Sequence, residues 1–309
     1  MRLPGYIRLR NATRLLTDEV KARRWDTDPL HTWRKWLRRP GNLNGRDVCV
    51  LMSWGRDPLV SEHTLILARG WAAAGFAVVL VVARDDPGTF DTEQDLNFCE
   101  AVLLRANSGY DFGAWAAAVR DLPELTNVGL LAIANDSVLG PLDGFATMID
   151  EVRRHPAALV GAVRSLEQGS HLQSFMLFFK PAALRHPAFT RFWRTVRDGD
   201  RDWAIRRYEL RLERWFIRSG VTTAALFPRA DRTPPLTNPT LVNWRALLAD
   251  GFPFIKLQLL RDVPDGIDIN GWEAALAVAG YDPAIAHRYL TDNPPRIAST
   301  APKSSQAGI

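Results

Sequence analysis

Apolar residues along this chain gather in short continuous runs, and the loops between them carry the polar chemistry. Residues 48–53, 77–83 (AVVLVVA) and 128–134 (VGLLAIA) are nearly all apolar, the pattern of parallel strands covered on both faces. Residues 101–104 form a shorter run of the same kind. Helical spacing separates these runs. Leu65, Ile66, Ala68, Arg69 and Ala72 make one helix closed by Gly75. Phe112, Trp115, Ala116 and Val119, at i, i+3, i+4 and i+7, make another with one face for a sheet. This alternation predicts an α/β fold: a mainly parallel sheet flanked by helices, with right-handed crossovers. No GxGxxG follows the first strand, so a dinucleotide fold is not supported.

The second half reads as more mixed. Helices are expected at 143–154, from Pro181 through Phe192 and Trp193, and at 241–249, 272–279 and 284–290. Residues 158–163, 171–180 (HLQSFMLFFK) and 222–227 read as strands, and 251–256 as another apolar segment. The segment 206–220 (RRYELRLERWFIRSG) is a strongly amphipathic helix, with Tyr208, Leu212, Trp215 and Phe216 on one face. Residues 228–239 read as loop. The tail, 291–309, is rich in Pro, Ser and Ala and is expected to be disordered.

Composition adds a core and an asymmetry. Of 309 residues, 47% are hydrophobic and 24% charged, enough apolar content for a sizeable core. The net charge of +5 is uneven: residues 1–46 hold twelve Lys/Arg against four Asp/Glu, a local +8. Trp25, Trp33 and Trp36 are interleaved with that charge. A membrane surface or an acidic polymer would be attracted to such an arm, and a merely solvated basic arm would look the same. A short helix is expected around 32–38, ended by Arg39-Pro40-Gly41. Cys49 and Cys99 lack CxxC spacing, which argues against a metal knuckle or disulfide scaffold and suits a reducing compartment. Residues 1–10 have no apolar signal region. The longest apolar run, 76–83, is far short of the roughly 20 residues that span a bilayer. The expected location is cytoplasmic, peripheral on the inner face of the cell membrane. Nucleic acid is not expected, because the charge stays in the arm and no reader motif appears.

Candidate chemistry sits where strands end. The run 128–134 stops at Asn135-Asp136-Ser137, and 77–83 stops at Arg84-Asp85-Asp86; ligands of open α/β sheets bind beyond such ends. Ser53 ends the first run. Asn107-Ser108-Gly109-Tyr110-Asp111 opens a helix whose N–H groups can seat an anion. Two structural readings stand beside these. Ser108 and Asp111 fit a capping box with Asp in place of Glu, and Asn135-Asp136 could open a turn before Gly140-Pro141.

The motif RANSGYDFGAW at 105–115 and NDSVLGPL at 135–142 resemble the rhamnan synthesis protein F family of bacterial polysaccharide glycosyltransferases. HLQSFMLFFK at 171–180, AFTRFW at 188–193, RYEL at 207–210 and GFPFIK at 251–256 follow in the family's order. The resemblance implies a GT-A-like fold over 47–290, with a nucleotide-sugar donor half at about 47–142 and a mixed acceptor half at about 143–290. The basic arm 1–46 and the tail 291–309 lie outside it. It implies transfer of a sugar, rhamnose or a similar deoxyhexose, from a nucleoside diphosphate to a growing lipid-linked, cell-surface polysaccharide, with inversion. Donor contacts are expected from Ser53, Asp85, Arg105, Asn107, Gly109, Asp111, Asn135, Asp136 and Ser137, and acceptor contacts from His171 and Gln173. A divalent metal, Mg²⁺ or Mn²⁺, would rest on Asp136, although this loop has one carboxylate where the family of folds carries two. Arg105 and the helix start near Gly109 offer a metal-free alternative. Segment 206–220 also resembles the acceptor-side helix of inverting GT-A enzymes, which implies that Glu209, eleven residues before Gly220, is the catalytic base, in the first turn of its helix, where the dipole keeps it ionised; a salt bridge to Arg206 is the competing reading. His287 is a weaker metal-ligand candidate. A non-catalytic nucleotide-sugar or glycan-binding subunit of the same fold is the alternative function.

Overall fold

The computed structural model describes residues 32–227 and 237–294. The expectations for residues 1–31, 228–236 and 295–309 therefore fall outside the described residues.

The strands are β1 (Arg34–Arg38), β2 (Asp47–Trp54), β3 (Ala77–Arg84), β4 (Ala101–Ala106), β5 (Leu130–Asn135), β6 (Val138–Leu139), β7 (Leu159–Ser165), β8 (His171–Leu172), β9 (Met176–Phe179), β10 (Thr223–Phe227) and β11 (Ile255–Lys256). The longer helices are α1 (Glu62–Ala73), α2 (Tyr110–Asp121), α3 (Phe145–Arg154), α4 (Pro187–Thr195), α5 (Leu210–Arg218), α6 (Trp272–Val278) and α7 (Pro283–Asp292). The main sheet runs β1-β4-β3-β2-β5-β9-β7-β10, with β8 attached to β7. From β4 to β5 neighbours are parallel; β9 is antiparallel to both β5 and β7, and β10 is parallel to β7. The expected architecture, a mostly parallel α/β sheet with a mixed second half, is the observed one.

Burial explains the apolar runs. Val48, Val50 and Met52 of β2 pack on the side of α2, while Cys49 and Leu51 pack on the side of α1. Every position of β2 from Val48 to Ser53 is buried, so the strand has no water-facing side on which polar residues would alternate. Both cysteines are buried free thiols. The helix α2 is covered more fully than its pattern predicts: Phe112 through Val119 are all buried. A further layer lies outside it, where Phe112 stacks on Trp193 of α4 (6.3 Å between centroids) and meets Tyr208 at 5.4 Å.

The expected helix at 32–38 is instead β1, an edge strand antiparallel to β4. Its side chains alternate: Arg34 and Trp36 both donate to Asp121, at 2.9 and 3.2 Å, while Leu37 packs against the opposite core. The arm's boundary at 46 moves with this finding, since 34–38 belong to the sheet. Among the described residues no helix is long and apolar enough to cross a membrane.

Candidate active site

The neighbours of β2 are β3 on one side and β5 on the other, so the chain winds away from β2 in both directions. Such a switch point leaves a crevice at the carboxyl ends of the two strands. A cavity of about 760 Å³ opens there. Its floor is Met52 and Trp54 of β2 with Asn135-Asp136-Ser137 after β5. Asp85, Asn107, Tyr110 and Asp111, from the ends of β3 and β4 and the start of α2, form one wall. The facing wall comes from the second half of the chain: His171, Gln173, Ser174 and Glu209, with Lys256 beside them.

Asn135 ties the donor-side loops together. Its Nδ2 donates to Asp111 Oδ2 (2.7 Å), and its Oδ1 accepts from Ser137 N (3.2 Å) and Ser137 Oγ (2.6 Å). The turn reading of Asn135 therefore holds, and the capping-box reading of Asp111 does not. The residue before α2 is Gly109, left-handed at φ 69°, without a side-chain cap, and Tyr110 follows at φ 53°. That pair of left-handed residues swings the Asp111 carboxyl to Asn135. Burial pushes the Asp111 carboxyl up to about 6; Asp136 and Glu209 add to the rise, while the Asn135 amide and Lys256 oppose it.

Asp136 is held from below by residues the sequence reading passed over. Thr64 Oγ1 donates to its Oδ2 (2.9 Å), and His63 Nε2 lies 3.1 Å from its carbonyl oxygen, so Nε2 carries the proton. Burial lowers the His63 pKa, leaving a neutral ring under the loop. At the rim, Asp85 Oδ1 accepts from Asn107 Nδ2 (3.0 Å) and Trp54 Nε1 (3.3 Å).

On the facing wall, the expected single strand 171–180 is broken. Residues 173–176 stand opposite only 162–163 of β7, a bulge that separates β8 from β9. The bulge frees the Ser174 N–H, which donates to Glu209 Oε1 at 3.1 Å. Gln173 Nε2 donates to Asn238 Oδ1 (2.8 Å), and His171 Nδ1 donates to the Gly169 carbonyl (2.8 Å). Glu209 is not in a first helical turn. Helix begins at Arg201, capped by Asp200, and Glu209 ends a π-helical segment, Ile205–Glu209, that runs into α5. The helix-dipole argument does not apply at that position; Glu209 is instead held by the Ser174 N–H across the wall. Glu213, one turn on, fixes the helix by pairing with Arg164 and accepting from Thr223 Oγ1 (2.9 Å).

Lys256 was passed over as well, although the GFPFIK motif ends on it. Its Nζ donates to Ser137 Oγ (3.2 Å) and lies 4.3 Å above the Phe175 ring. Burial pulls its pKa down to about 8 against Glu209 and Asp111, which hold it up.

Four expected site residues do not reach the cavity. Arg105 is fully buried; its Nη2 donates to the Ser108 carbonyl (2.8 Å), and Asp198 is its counter-charge. It lies on the Leu103 side of β4, beneath α2, because side chains alternate along a strand. Gly109 N–H already donates to Asp198 Oδ1 (2.7 Å), so that amide is not open to an anion. Ser53 is buried on the α1 side of β2, between the two residues that line the floor. His287 is on the exterior, 3.4 Å from Glu273 and against Trp272.

The side chains around Asp136 do not fit a resident divalent metal. Hard cations need several oxygen ligands, yet among the described residues no three His, Cys, Asp or Glu side chains gather as a ligand set. One Asp136 oxygen is taken by Thr64, and an ammonium, Lys256, occupies the neighbouring position on Ser137.

The model of the family described as Rhamnan synthesis protein F matches residues 88–279, more than half of the chain. The chain belongs to that family. It is therefore a polysaccharide glycosyltransferase. Among curated relatives, Virulence protein VirA of Vibrio anguillarum is 28% identical over 208 residues, which cover 56% of this chain and 67% of that one. Uncharacterized protein y4gN of Sinorhizobium fredii is 25% identical over 212 residues, 65% of this chain and 54% of that one. Two solved structures align with the chain at low TM-scores. A mannosyltransferase, PcManGT, from Pyrobaculum calidifontis, in complex with GDP-Man and Mn²⁺, gives a TM-score of 0.36 at 14% identity, over 93% of this chain and 89% of that one. A putative glucose-1-phosphate thymidylyltransferase from Bacillus anthracis gives 0.39 at 10% identity, over 58% and 85%. The rhamnan synthesis match includes wall residues from Asn107 to Lys256 and leaves Asp85 and the β2 floor outside it.

Proposed function

We propose that this chain transfers a deoxyhexose, rhamnose or a close analogue, from a nucleoside diphosphate to a growing lipid-linked polysaccharide, with inversion and in the manner of GT-A enzymes. One observation carries the reading: a carboxylate, Glu209, faces the Asn135–Ser137 loop across a cavity at the switch point. Inversion is a single displacement. The acceptor hydroxyl attacks the anomeric carbon from the side opposite the departing diphosphate, and a base on that side takes its proton. The donor half then supplies the diphosphate site through the 135–137 loop, with Asp85 and Asn107 toward the nucleoside. The acceptor half supplies Glu209 as base, with His171 and Gln173 toward the incoming sugar. Ser174 N–H fixes Glu209 Oε1, so the carboxylate is aimed before substrate arrives.

The test is a screen of nucleotide sugars for donor hydrolysis and transfer, with and without divalent metal, and proton NMR of the product's anomeric configuration. Turnover with inverted product supports the proposal. Binding without turnover of any donor would favour the non-catalytic subunit reading. The basic N-terminal arm, 1–46 as read from the sequence, with seven of its twelve Lys/Arg before residue 32, is proposed to give reversible attachment to anionic lipid. Equal sedimentation with anionic vesicles before and after its removal would rule that out.

A further inference from the structure

Lys256 is held in the cavity by backbone structure remote from it in sequence. Its strand, β11, pairs antiparallel with β6, placing Lys256 opposite Val138 and Ile255 opposite Leu139. Leu257 N–H then donates to the Ser137 carbonyl (3.0 Å). With both flanks fixed, the side chain lies along the 135–137 loop, its ammonium over Phe175 and on Ser137 Oγ. Ser137 is its one hydrogen-bond partner among the described residues, and no carboxylate lies within ion-pair distance of it there. Glu209 and Asp111 act on it only at longer range. A half-buried ammonium without a direct anionic partner is costly unless something completes it. Two of its three N–H donors remain to be used, at the loop where the donor's phosphates are proposed to sit.

We propose that Lys256 is the counter-charge of the donor's diphosphate, and that this chain binds nucleotide and transfers sugar without a divalent metal. This rests on the nucleotide-sugar reading above. In the transfer step the bond between the anomeric carbon and the diphosphate oxygen breaks, and its electron pair leaves on that oxygen. The acceptor oxygen forms the new bond to carbon, and its proton goes to Glu209. Lys256 meets the charge that grows on the diphosphate, a task otherwise given to a metal ion. The ion would need carboxylates that here are tied to Thr64 and Asn135; the lysine needs none.

Calorimetry with UDP, GDP and dTDP, in chelator and again with added Mg²⁺ or Mn²⁺, tests this on the unaltered protein, on Lys256→Gln and on Lys256→Arg. The expected result is a nucleoside diphosphate that binds in chelator with affinity unchanged by metal. Lys256→Gln should weaken it by roughly 10- to 100-fold, the worth of one charged hydrogen bond, with no rescue by metal, and Lys256→Arg should keep most of it. Binding by the unaltered protein only with metal overturns the proposal, and so does unchanged binding by a folded Lys256→Gln. The chelator comparison decides the matter even where the Gln variant is unstable. If no nucleoside diphosphate binds under any condition, the nucleotide-sugar reading itself falls, a result distinct from metal-dependent binding.

Discussion

Replacing Asp111 with Asn should stabilise the protein at neutral pH while impairing transfer. The Asp111 carboxyl is pushed from its ordinary 3.8 up to about 6. The folded state therefore holds this proton more tightly than the unfolded chain does. Between about pH 4 and pH 6 the native state binds more protons, so stability falls as pH rises through that window and stays lower above it. A rise of roughly two pKa units corresponds to about 3 kcal/mol, an upper bound because cavity water reaches one side of the carboxyl. Asn removes the charge and keeps an oxygen that can accept from Asn135 Nδ2, now at 2.7 Å from Asp111. Thermal unfolding across pH 4 to 8 is the assay. The two proteins should melt together near pH 4, and the variant should lead by up to about 6 °C above pH 6.5, at about 2 °C per kcal/mol for a chain of this length. A difference that does not change with pH, or a variant that melts lower at pH 8, refutes the reasoning.

Three further outcomes are expected. Glu209→Gln keeps an acceptor for Ser174 N–H and should leave nucleotide affinity intact in calorimetry, while single-turnover transfer falls by roughly 10² to 10⁴; unchanged transfer would place the base elsewhere. Asp136→Ala should lower turnover by about 10²-fold and stability by only about 1 kcal/mol, the Thr64 hydrogen bond; urea denaturation separates the two effects, and near-normal turnover would sink the assignment. Gly113→Ala puts a Cβ 2.1 Å from the Ser108 carbonyl oxygen and should cost about 1–3 kcal/mol or more, read as a lower urea midpoint.

How much of this was legible in the sequence depends on the range of the interaction that decides each feature. Strands β2, β3 and β5 were legible because covering both faces leaves no choice but continuous apolar residues. Their terminal loops followed, and so did the cavity between them. The strand β1 was not, because RKWLR at an edge carries charge that helix and edge strand tolerate equally, and only pairing with β4 decides. Arg105 was assigned to the donor by its place in a motif and Ser53 by its place at a strand end, but side-chain alternation along β4 and β2 turns them away from the cavity. Asn107, Asp111, Asn135, Asp136 and Ser137 are brought together as the two loops suggested. His63, Thr64 and Lys256 reach the 135–137 loop from 73, 72 and 119 residues away, and no local periodicity encodes such a meeting.

The cavity is also where three interruptions of regular structure meet, and each repairs another. A strand end at Asn135, a bulge at 173–176 and a π-helical segment at 205–209 all give up regular backbone pairing, a cost that proteins concentrate at functional sites. Buried backbone groups must still be satisfied. Asn135 N–H donates to the Phe175 carbonyl in the bulge (3.1 Å), Ser174 N–H in the bulge donates to Glu209 at the end of the π segment, and Leu257 N–H donates to Ser137 beyond the strand end. Each wall thus completes its neighbour's hydrogen bonding without a ligand. The carboxylate, the ammonium and the Asn135–Ser137 loop are consequently ordered in advance, so binding need not supply the free energy to assemble them. The same coupling predicts that truncating Glu209 to Ala would strip Ser174 of its acceptor and disturb the bulge, which is why the Gln variant, and not Ala, isolates the loss of a proton acceptor.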